Sequence, residues 1–568
     1  MTVNVDLARI FDAMDRWAAV QPSGTAVHAP DGSLTFAQLA EHTHAIAGTL
    51  AARGVGPGSQ VGLCFGRGRL SLPALLATWW TGATAVPLDE RHPTDRLSFV
   101  LRDSGAQVVL GDRVPAGVIP QRCEVLTSSA VTAAHPAPRR VGPHPCGIAY
   151  VIYTSGTTGW PKGVEVPYRG LAAFVAALAA LDLPVGGTGV NAVSPAFDGW
   201  LWCALLYLLN GQCMTIAGDD PAETVATARP DVVCMTPSLL LACAGEVSAA
   251  EVVVAAGESL PAPLAARFTG RLLNVYGPTE ATIAATCADT ARGDDVTTIG
   301  RPLRGYTVHL LDADLRPVAP GVPGELFIGG PAVAAGYRHR PDLTAERFLP
   351  DPFTADGARL YRTGDLALLR PDGLLEYRGR CDEQVKIRGF RVELTEVERV
   401  AVETDGVRGA AAYVLPGRDA LGLALVVSAE ECLESVRTAC AGRLPAAVVP
   451  ARVTAIEALP TTPAGKVDRA ALALMTAATS AHGRAPVTPS ERVVVEAWDA
   501  LLPQPVHDVD ADFFDLGGHS LLAARAVAAL RKATGVRLTI RQLLAHPTVA
   551  GVAAELDRLG AAPAEEVS

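Results

Sequence analysis

Tyr153-Thr154-Ser155-Gly156-Thr157-Thr158-Gly159-Trp160-Pro161-Lys162-Gly163-Val164 follows directly on the apolar run Ala149-Tyr150-Val151-Ile152-Tyr153. The run has the β-branched and aromatic content of a buried strand. The chain then passes abruptly into hydroxyls and glycines. Glycine lets a backbone approach an anion closely and turn its N–H groups inward, hydroxyls add donors, and Lys162 adds a compact positive charge. The stretch therefore reads as a phosphate-handling loop at the end of a strand, with Thr154, Ser155, Gly156, Thr157, Thr158, Gly159 and Lys162 as its candidate contacts. It is not the GxxxxGK[ST] loop, because no Ser or Thr follows the lysine at the Mg²⁺-ligating place.

Outward from this loop, the first 380 or so residues alternate short apolar runs with Ala/Leu-rich helical stretches, as layered α/β domains do. Thr35 to Ala52 reads as a helix; Val61–Phe65 and Ala106–Leu110 read as strands. Thr395-Glu396-Val397-Glu398 has capping-box spacing, with Val397, Val400 and Ala401 as one apolar face. Met475 to Pro486 is rich in Ala, Ser, Thr, Gly and Pro and reads as a linker. Thr488-Pro489-Ser490-Glu491 then opens a helix, with Thr as N-cap and Pro in the first turn. A second helix is expected from Ser520 to about Thr534, stopped by Gly535.

A chain of 568 residues is too long for one core. Hydrophobic residues at 49% and charged residues at 19% describe a globular protein. The net charge of −11 argues against a nucleic-acid or anionic-membrane surface. Eleven scattered cysteines without a CxxC pair suggest neither a disulfide framework nor a zinc site. With no signal-like or membrane-length apolar segment, the expected location is the cytoplasm. Only four of the 48 basic side chains are lysines, Lys162, Lys386, Lys466 and Lys532, so arginine fills nearly every ordinary surface position. Lys162, Lys386 and Lys466 stand in motif-like stretches, where arginine's planar fork is not an equivalent substitute for a compact ammonium.

The loop resembles the signature of the adenylate-forming superfamily, which activates carboxylates with ATP. Asp512-Phe513-Phe514-Asp515-Leu516-Gly517-Gly518-His519-Ser520-Leu521-Leu522 resembles the phosphopantetheine attachment site of a carrier domain. Together they resemble an adenylation–thiolation didomain of a nonribosomal peptide synthetase, over nearly the whole chain. The implied fold is a large layered α/β N-terminal core (1–381), a small α+β lid (382–474, hinged at Asp382), a linker (475–487), an all-α carrier bundle (488–560) and a tail (561–568).

The resemblance assigns further roles. In Asn274-Val275-Tyr276-Gly277-Pro278-Thr279-Glu280, Tyr276 would stack on adenine, Asn274 lie at its edge, Thr279 meet the α-phosphate and Glu280 ligate Mg²⁺. Asp365, in Tyr361-Arg362-Thr363-Gly364-Asp365, would bind the ribose hydroxyls, and Arg380 would be a second nucleotide contact. Lys466 matches the catalytic lysine that bridges carboxylate and phosphate, although Ala464 stands where Asn is usual. The stretch Gly379 to Glu393 matches the hinge, about which the lid exchanges the face bearing Lys466 for the face bearing Lys386. Leu472-Ala473-Leu474-Met475 replaces the usual Leu-Pro-x-Pro anchor after the catalytic lysine. The implied cofactors are ATP, Mg²⁺ and 4′-phosphopantetheine on Ser520.

Carrying the substrate pocket over residue by residue gives Asp198, Gly199, Trp202, Cys234, Val254, Ala256, Val275, Ile283, Ala284 and Lys466. The first and last would hold the amino acid's charged ends, and the eight between are uncharged. A charged side chain would lose hydration there without replacement. An aromatic L-amino acid is the first expectation and a large aliphatic one the second. The alternative is an acyl- or aryl-acid ligase feeding a carrier or CoA. The implied partners are a phosphopantetheinyl transferase and a downstream condensation or tailoring enzyme in trans, with an MbtH-like activator as a further partner that the family admits.

Overall fold

Six strands, Thr25–Ala29, Cys213–Ile216, Thr188–Asn191, Val232–Met235, Val252–Ala256 and Arg271–Tyr276, lie parallel side by side. Their side chains are almost all buried, which is why they read as continuous apolar runs, not alternating ones. Antiparallel Gly32–Thr35 at one edge, and Thr286–Asp289 and Arg301–Pro302 at the other, complete a nine-stranded sheet. A seven-stranded sheet contains Gln60–Leu63, Thr84–Pro87, Val108–Leu110 and Ile148–Thr154. A five-stranded sheet is built around Gly324–Gly329 and Arg359–Leu369. This computed structural model describes residues 7–115, 117–121, 123–131, 138–142, 144, 146–156, 160–218, 220–354, 357–387, 389–415, 420–429, 432–462, 466–477, 484–502, 505–511, 513, 516, 518, 520–536, 538–539, 542–543 and 546–560, with only the backbone of 476, 477, 520, 521 and 524.

The helix Phe36–Ala51 starts where the sequence places it, because Thr35 and Gln38 close a reciprocal capping box. Of the adjacent Trp79 and Trp80, the first is fully buried with its indole N–H on the Ala149 carbonyl, and the second is partly buried and edge-on to Phe11.

The described residues form two compact units, one running to Arg391 and the other beginning at Val392. This division falls ten residues beyond Asp382, the expected hinge. The short paired strands Val385–Ile387 and Phe390–Val392 group with the first unit through Arg391. Asp382 itself is pinned by Arg380, at 2.6 and 2.8 Å.

In the second unit the helix Leu394–Val402 packs by Val397, Val400 and Ala401, as expected. It begins one residue before Thr395 and has no side-chain cap, so the capping box expected there does not form. Antiparallel Val407–Val414 and Leu421–Val427, with Arg452–Ala455 parallel to the latter, make a three-stranded sheet. The helix Arg469–Ala477 crosses the expected lid–linker boundary at residue 474. Leu472 explains this. It is fully buried against Ala411, Tyr413 and Leu415, and so serves as an anchor in place of the missing Leu-Pro-x-Pro. Pro463, Ala464 and Gly465 lie outside the described residues.

Farther on, Thr488 and Glu491 form the predicted capping box with Pro489 in the first turn. The helices Pro489–Asp499, Ser520–Thr534 and Val549–Gly560 enclose Val494, Trp498, Phe513, Val527, Leu530 and Leu556. Trp498 and Phe513 meet edge to face at 4.8 Å. Gly535, at φ +72°, ends the middle helix as expected.

Candidate active site

Strands Ile148–Thr154 and Lys162–Pro167 pair antiparallel with Thr154 opposite Lys162, so the phosphate loop is the connection of a hairpin. Gly156 is required by closeness: a Cβ there would come 2.1 Å from the Trp160 carbonyl oxygen. Thr154, Ser155 and Lys162 are all buried. The Lys162 ammonium lies 4.9 Å from the Tyr337 ring centroid. Thr157, Thr158 and Gly159 lie outside the described residues.

Glu280 sits in a single 3₁₀ turn at the end of the strand Arg271–Tyr276, fully buried. Its two oxygens are engaged by the Tyr337 hydroxyl at 2.7 Å and the Arg391 guanidinium at 2.8 Å. Burial pushes the carboxyl up, but Arg391 first, then Lys162 and the Tyr337 hydroxyl, bring it down to about 2. The Mg²⁺ expectation at Glu280 does not fit this arrangement, because a guanidinium already balances the carboxylate where a dication would stand.

Tyr276, Asp365 and Arg380 come together. The Tyr276 hydroxyl donates to Asp365 Oδ2, and Arg380 Nη1 donates to Oδ1 at 2.5 Å. The Lys386 ammonium stands 5.7 Å from the Tyr276 ring centroid. Lys386 therefore joins these groups within the first unit, whereas Lys466 belongs to the second, where it is exposed. Asn274 is buried, and its amide donates to the carbonyls of Val296 and Thr298 at 2.9 Å each. That leaves Oδ1 as its accepting atom, so its first visible duty is to pin the neighbouring loop.

The pocket residues converge because their strands are neighbours in register. Cys234 pairs with Val254 and Ala256 with Val275, toward the carboxyl ends of parallel strands, where α/β sheets bind ligands. Asp198 and Gly199 open the helix Asp198–Leu209, and Trp202 lies one turn on against Phe174 at 5.6 Å. Asp198 Oδ2 is shut away from solvent without a hydrogen-bond partner. Burial raises this carboxyl to about 6, with the Glu280 charge adding and the Thr279 hydroxyl opposing. An orphaned carboxylate oxygen in an apolar setting is suited to an ammonium group.

Ile283 and Thr282 both adopt left-handed backbone, at φ +74° and +56°. β-Branched residues are rarely held there, and such strain collects at functional sites. Gly277 permits the turn, since a Cβ on it would lie 2.4 Å from the Cα of Ala284.

Sequence reasoning passed over Arg391, Tyr337 and Tyr150. Arg391 stands within the quoted hinge stretch, and its clustering with two other basic residues was the available signal. Tyr337 and Tyr150 carry no local signal. The Tyr150 hydroxyl is buried without a partner and feels the Asp198 charge. Asp89 accepts from the Ser194 hydroxyl at 2.5 Å and so ties the segment after strand Thr84–Pro87 to the loop entering Asp198.

On the carrier side the helix begins at Ser520, whose side chain is outside the described residues, as are Asp512, Phe514, Asp515, Gly517 and His519. Gly518 packs on Phe513 so closely that a Cβ would come within 2.3 Å of the ring. The Gly518 N–H donates to the Phe513 carbonyl at 2.8 Å, and the helix that follows begins at Ser520, a helix N-terminus being a place that suits a phosphodiester.

A layered α/β core with a phosphate hairpin and a buried Tyr–Asp–Arg cluster, followed by a helical bundle whose middle helix opens at Ser520, fits a nucleotide-dependent ligase joined to a carrier domain. The chain belongs to the AMP-binding enzyme family, which it matches over residues 14–338, and it matches the phosphopantetheine attachment site family over residues 492–556. It is an adenylation–thiolation didomain of the nonribosomal peptide synthetase kind, an ATP-dependent, AMP-forming ligase with its own carrier domain. It is 40% identical to phosphinothricin tripeptide synthetase PhsC of Streptomyces viridochromogenes over 94% of this chain and 51% of that protein, about half its length. It is 37% identical to novobiocin biosynthesis protein H of Streptomyces niveus over 97% of both chains. It is similar to the structure of holo-PA1221, an NRPS protein containing adenylation and PCP domains bound to a vinylsulfonamide inhibitor. That match has a TM-score of 0.80 and 26% identity, over 97% of this chain and 96% of the other. No helix among the described residues is long and apolar enough to cross a membrane.

Proposed function

We propose that the chain activates an L-amino acid, aromatic in the first instance and large aliphatic otherwise, as the aminoacyl adenylate with release of pyrophosphate. It then loads the amino acid as a thioester on the phosphopantetheine arm at Ser520, for peptide or natural-product biosynthesis in the cytoplasm. The observation that carries this reading is Asp198 Oδ2, a buried carboxylate oxygen without a hydrogen-bond partner, in a candidate pocket whose Trp202, Val254 and Val275 are buried as well. It supports an α-amino acid over an acid lacking the amino group. Unlike charges would be matched at Asp198 and, on the carboxylate side, at Lys466, while the uncharged lining disfavours Asp, Glu, Lys and Arg.

In this reading the phosphate loop and Lys162 hold the triphosphate, and Tyr276, Asn274, Asp365 and Arg380 hold the nucleoside. Lys466 serves adenylation and Lys386 the thiolation arrangement, with Asp382 as the hinge between them. The thioester passes to a condensation or tailoring enzyme in trans, an MbtH-like protein being a candidate activator. The test is amino-acid-dependent exchange of pyrophosphate into ATP across the proteinogenic set plus aryl acids. Highest exchange with an aromatic or large aliphatic amino acid is expected. Strong exchange with a charged amino acid, or with an acid lacking the α-amino group, would overturn the pocket reading.

A further inference from the structure

Strand Ile148–Thr154 carries Tyr150 and Tyr153, and the alternation of a strand sends them to opposite faces. Tyr153 packs with Val151 on one side, where its hydroxyl donates to Asp103 Oδ2 at 2.6 Å. Tyr150 and Ile152 enter the other core cluster, together with Trp202, Cys234, Val254, Val275 and Ile283 of the candidate pocket. The Tyr150 side chain is fully buried, yet its hydroxyl has no hydrogen-bond partner. Among the described residues no other tyrosine hydroxyl is left in that state. A buried polar atom without a partner is costly, and its persistence calls for a reason.

Two neighbours locate this hydroxyl. Burial first, then the charges of Asp198 and Tyr306, hold the Tyr150 phenol protonated. Tyr306 in turn donates to the Thr282 carbonyl at 3.4 Å, beside the pocket residue Ile283. Asp198 Oδ2 is likewise buried without a partner, so it and the Tyr150 hydroxyl are not bonded to each other. Two polar atoms left apart in one apolar cluster suit a ligand group that reaches both. An ammonium fits, because it brings three N–H donors and Asp198 Oδ2 takes one of them. The eight uncharged pocket residues, from Gly199 to Ala284, have no side-chain oxygen to take a second. The Tyr150 oxygen can accept it, since a hydroxyl turns its own proton aside.

We propose that Tyr150 is a second contact for the α-ammonium group of the amino acid, its oxygen accepting one N–H while Asp198 Oδ2 accepts another. The proposal rests on the adenylation reading and deepens it. Two acceptors fix the direction of the Cα–N bond, which a single carboxylate oxygen leaves free to swing. The contact uses nothing of the substrate's side chain. Tyr150 therefore separates α-amino acids from acids without the amino group, whatever the rest of the pocket admits. An acid of the second kind would leave both buried oxygens unpaired, and sites built to meet a polar group reject the analogue that lacks it.

Pyrophosphate exchange by the full chain, wild type against Tyr150→Phe, tests this contact. The probes are the amino acid of highest exchange, its amino alcohol and its des-amino acid (L-phenylalanine, L-phenylalaninol and phenylpropanoic acid in the aromatic case). The KM for the amino acid should rise about 10-fold, the lower end for a hydrogen bond to a charged group, while the KM for ATP stays. The amino alcohol, which keeps the ammonium, should inhibit the variant about 10-fold less well. The des-amino acid should inhibit both enzymes alike or neither. Calorimetry supplies a readout apart from activity: without ligand, Tyr150→Phe should melt no lower than wild type, because its hydroxyl bonds nothing in the fold. An unchanged KM for the amino acid, a lower melting midpoint, or equal loss for the amino alcohol and the des-amino acid would overturn the assignment. An active wild type with any of these results loses only the Tyr150 contact, whereas a wild type without amino-acid-dependent exchange loses the adenylation reading itself.

Discussion

The Tyr276 hydroxyl donates to the Asp365 carboxylate across 89 residues of sequence, both groups being buried, while Arg380 holds the second carboxylate oxygen. A carboxylate stripped of water depends on such donors. Tyr276→Phe keeps the ring face and removes one of them, which for a buried charged acceptor costs about 1–3 kcal/mol. A melting midpoint several degrees lower, with ATP–pyrophosphate exchange retained at reduced ATP affinity, is the expected outcome. Differential scanning calorimetry and the ATP dependence of exchange check it; an unchanged midpoint would show that the contact contributes nothing.

Asp198 carries a pH signature. Its folded-state value near 6 lies above the ordinary carboxylate value near 4. Between these values the folded protein holds a proton that the unfolded chain has released, so folding stability falls as pH rises through that window. Asp198→Asn should lack this loss and melt at a higher temperature than wild type at pH 8. The same variant should lose about 10–100-fold in kcat/KM for the amino acid, the scale of a charged hydrogen-bond partner. In the wild type, amino-acid affinity should rise from pH 5 to 7 as Asp198 ionises. Melting curves and exchange kinetics over that range measure both effects, and a flat wild-type profile would count against the assignment.

Lys466 and Lys386 should separate by half-reaction. Lys466→Ala is expected to slow adenylation by at least ~10², the scale of one positioned charge-stabilising donor, and Lys386→Ala to spare adenylation more than thiolation. Asp382→Pro, which fixes a backbone dihedral, should share the Lys386→Ala pattern. Pyrophosphate exchange reports the first half-reaction, and covalent loading of labelled amino acid reports the second. Equal losses in both assays for Asp382→Pro would place the hinge elsewhere, for example nearer the unit boundary at Arg391.

Ser520→Ala should leave pyrophosphate exchange near wild type and abolish both the phosphopantetheine mass increase and covalent loading. Intact-protein mass after incubation with a phosphopantetheinyl transferase and coenzyme A is decisive. A modified alanine variant would remove the carrier assignment at Ser520. The carrier fold should persist, since loss of one hydroxyl at a helix start costs about 0.5–2 kcal/mol.

The sequence by itself determined what depends on near neighbours. The capping boxes at Thr35 and Thr488 formed because each partner is three residues away. The buried parallel strands followed from unbroken apolar runs, and the phosphate hairpin from a strand running into glycine and hydroxyl. Thr395 shows where local spacing fails: burial of Val397 and Val400 fixed that helix, and no cap was needed. Only the tertiary structure decided the partners of the buried charges. Arg391 reaches Glu280 across 111 residues, and Tyr337 reaches it across 57. The left-handed backbone at Ile283 likewise sits in a turn that needs Gly277, whose Cβ would come 2.4 Å from the Cα of Ala284. Motif spacing specifies which groups a site can contain; which of them neutralise one another depends on chain segments that meet only after folding, where low dielectric makes every unpaired charge costly.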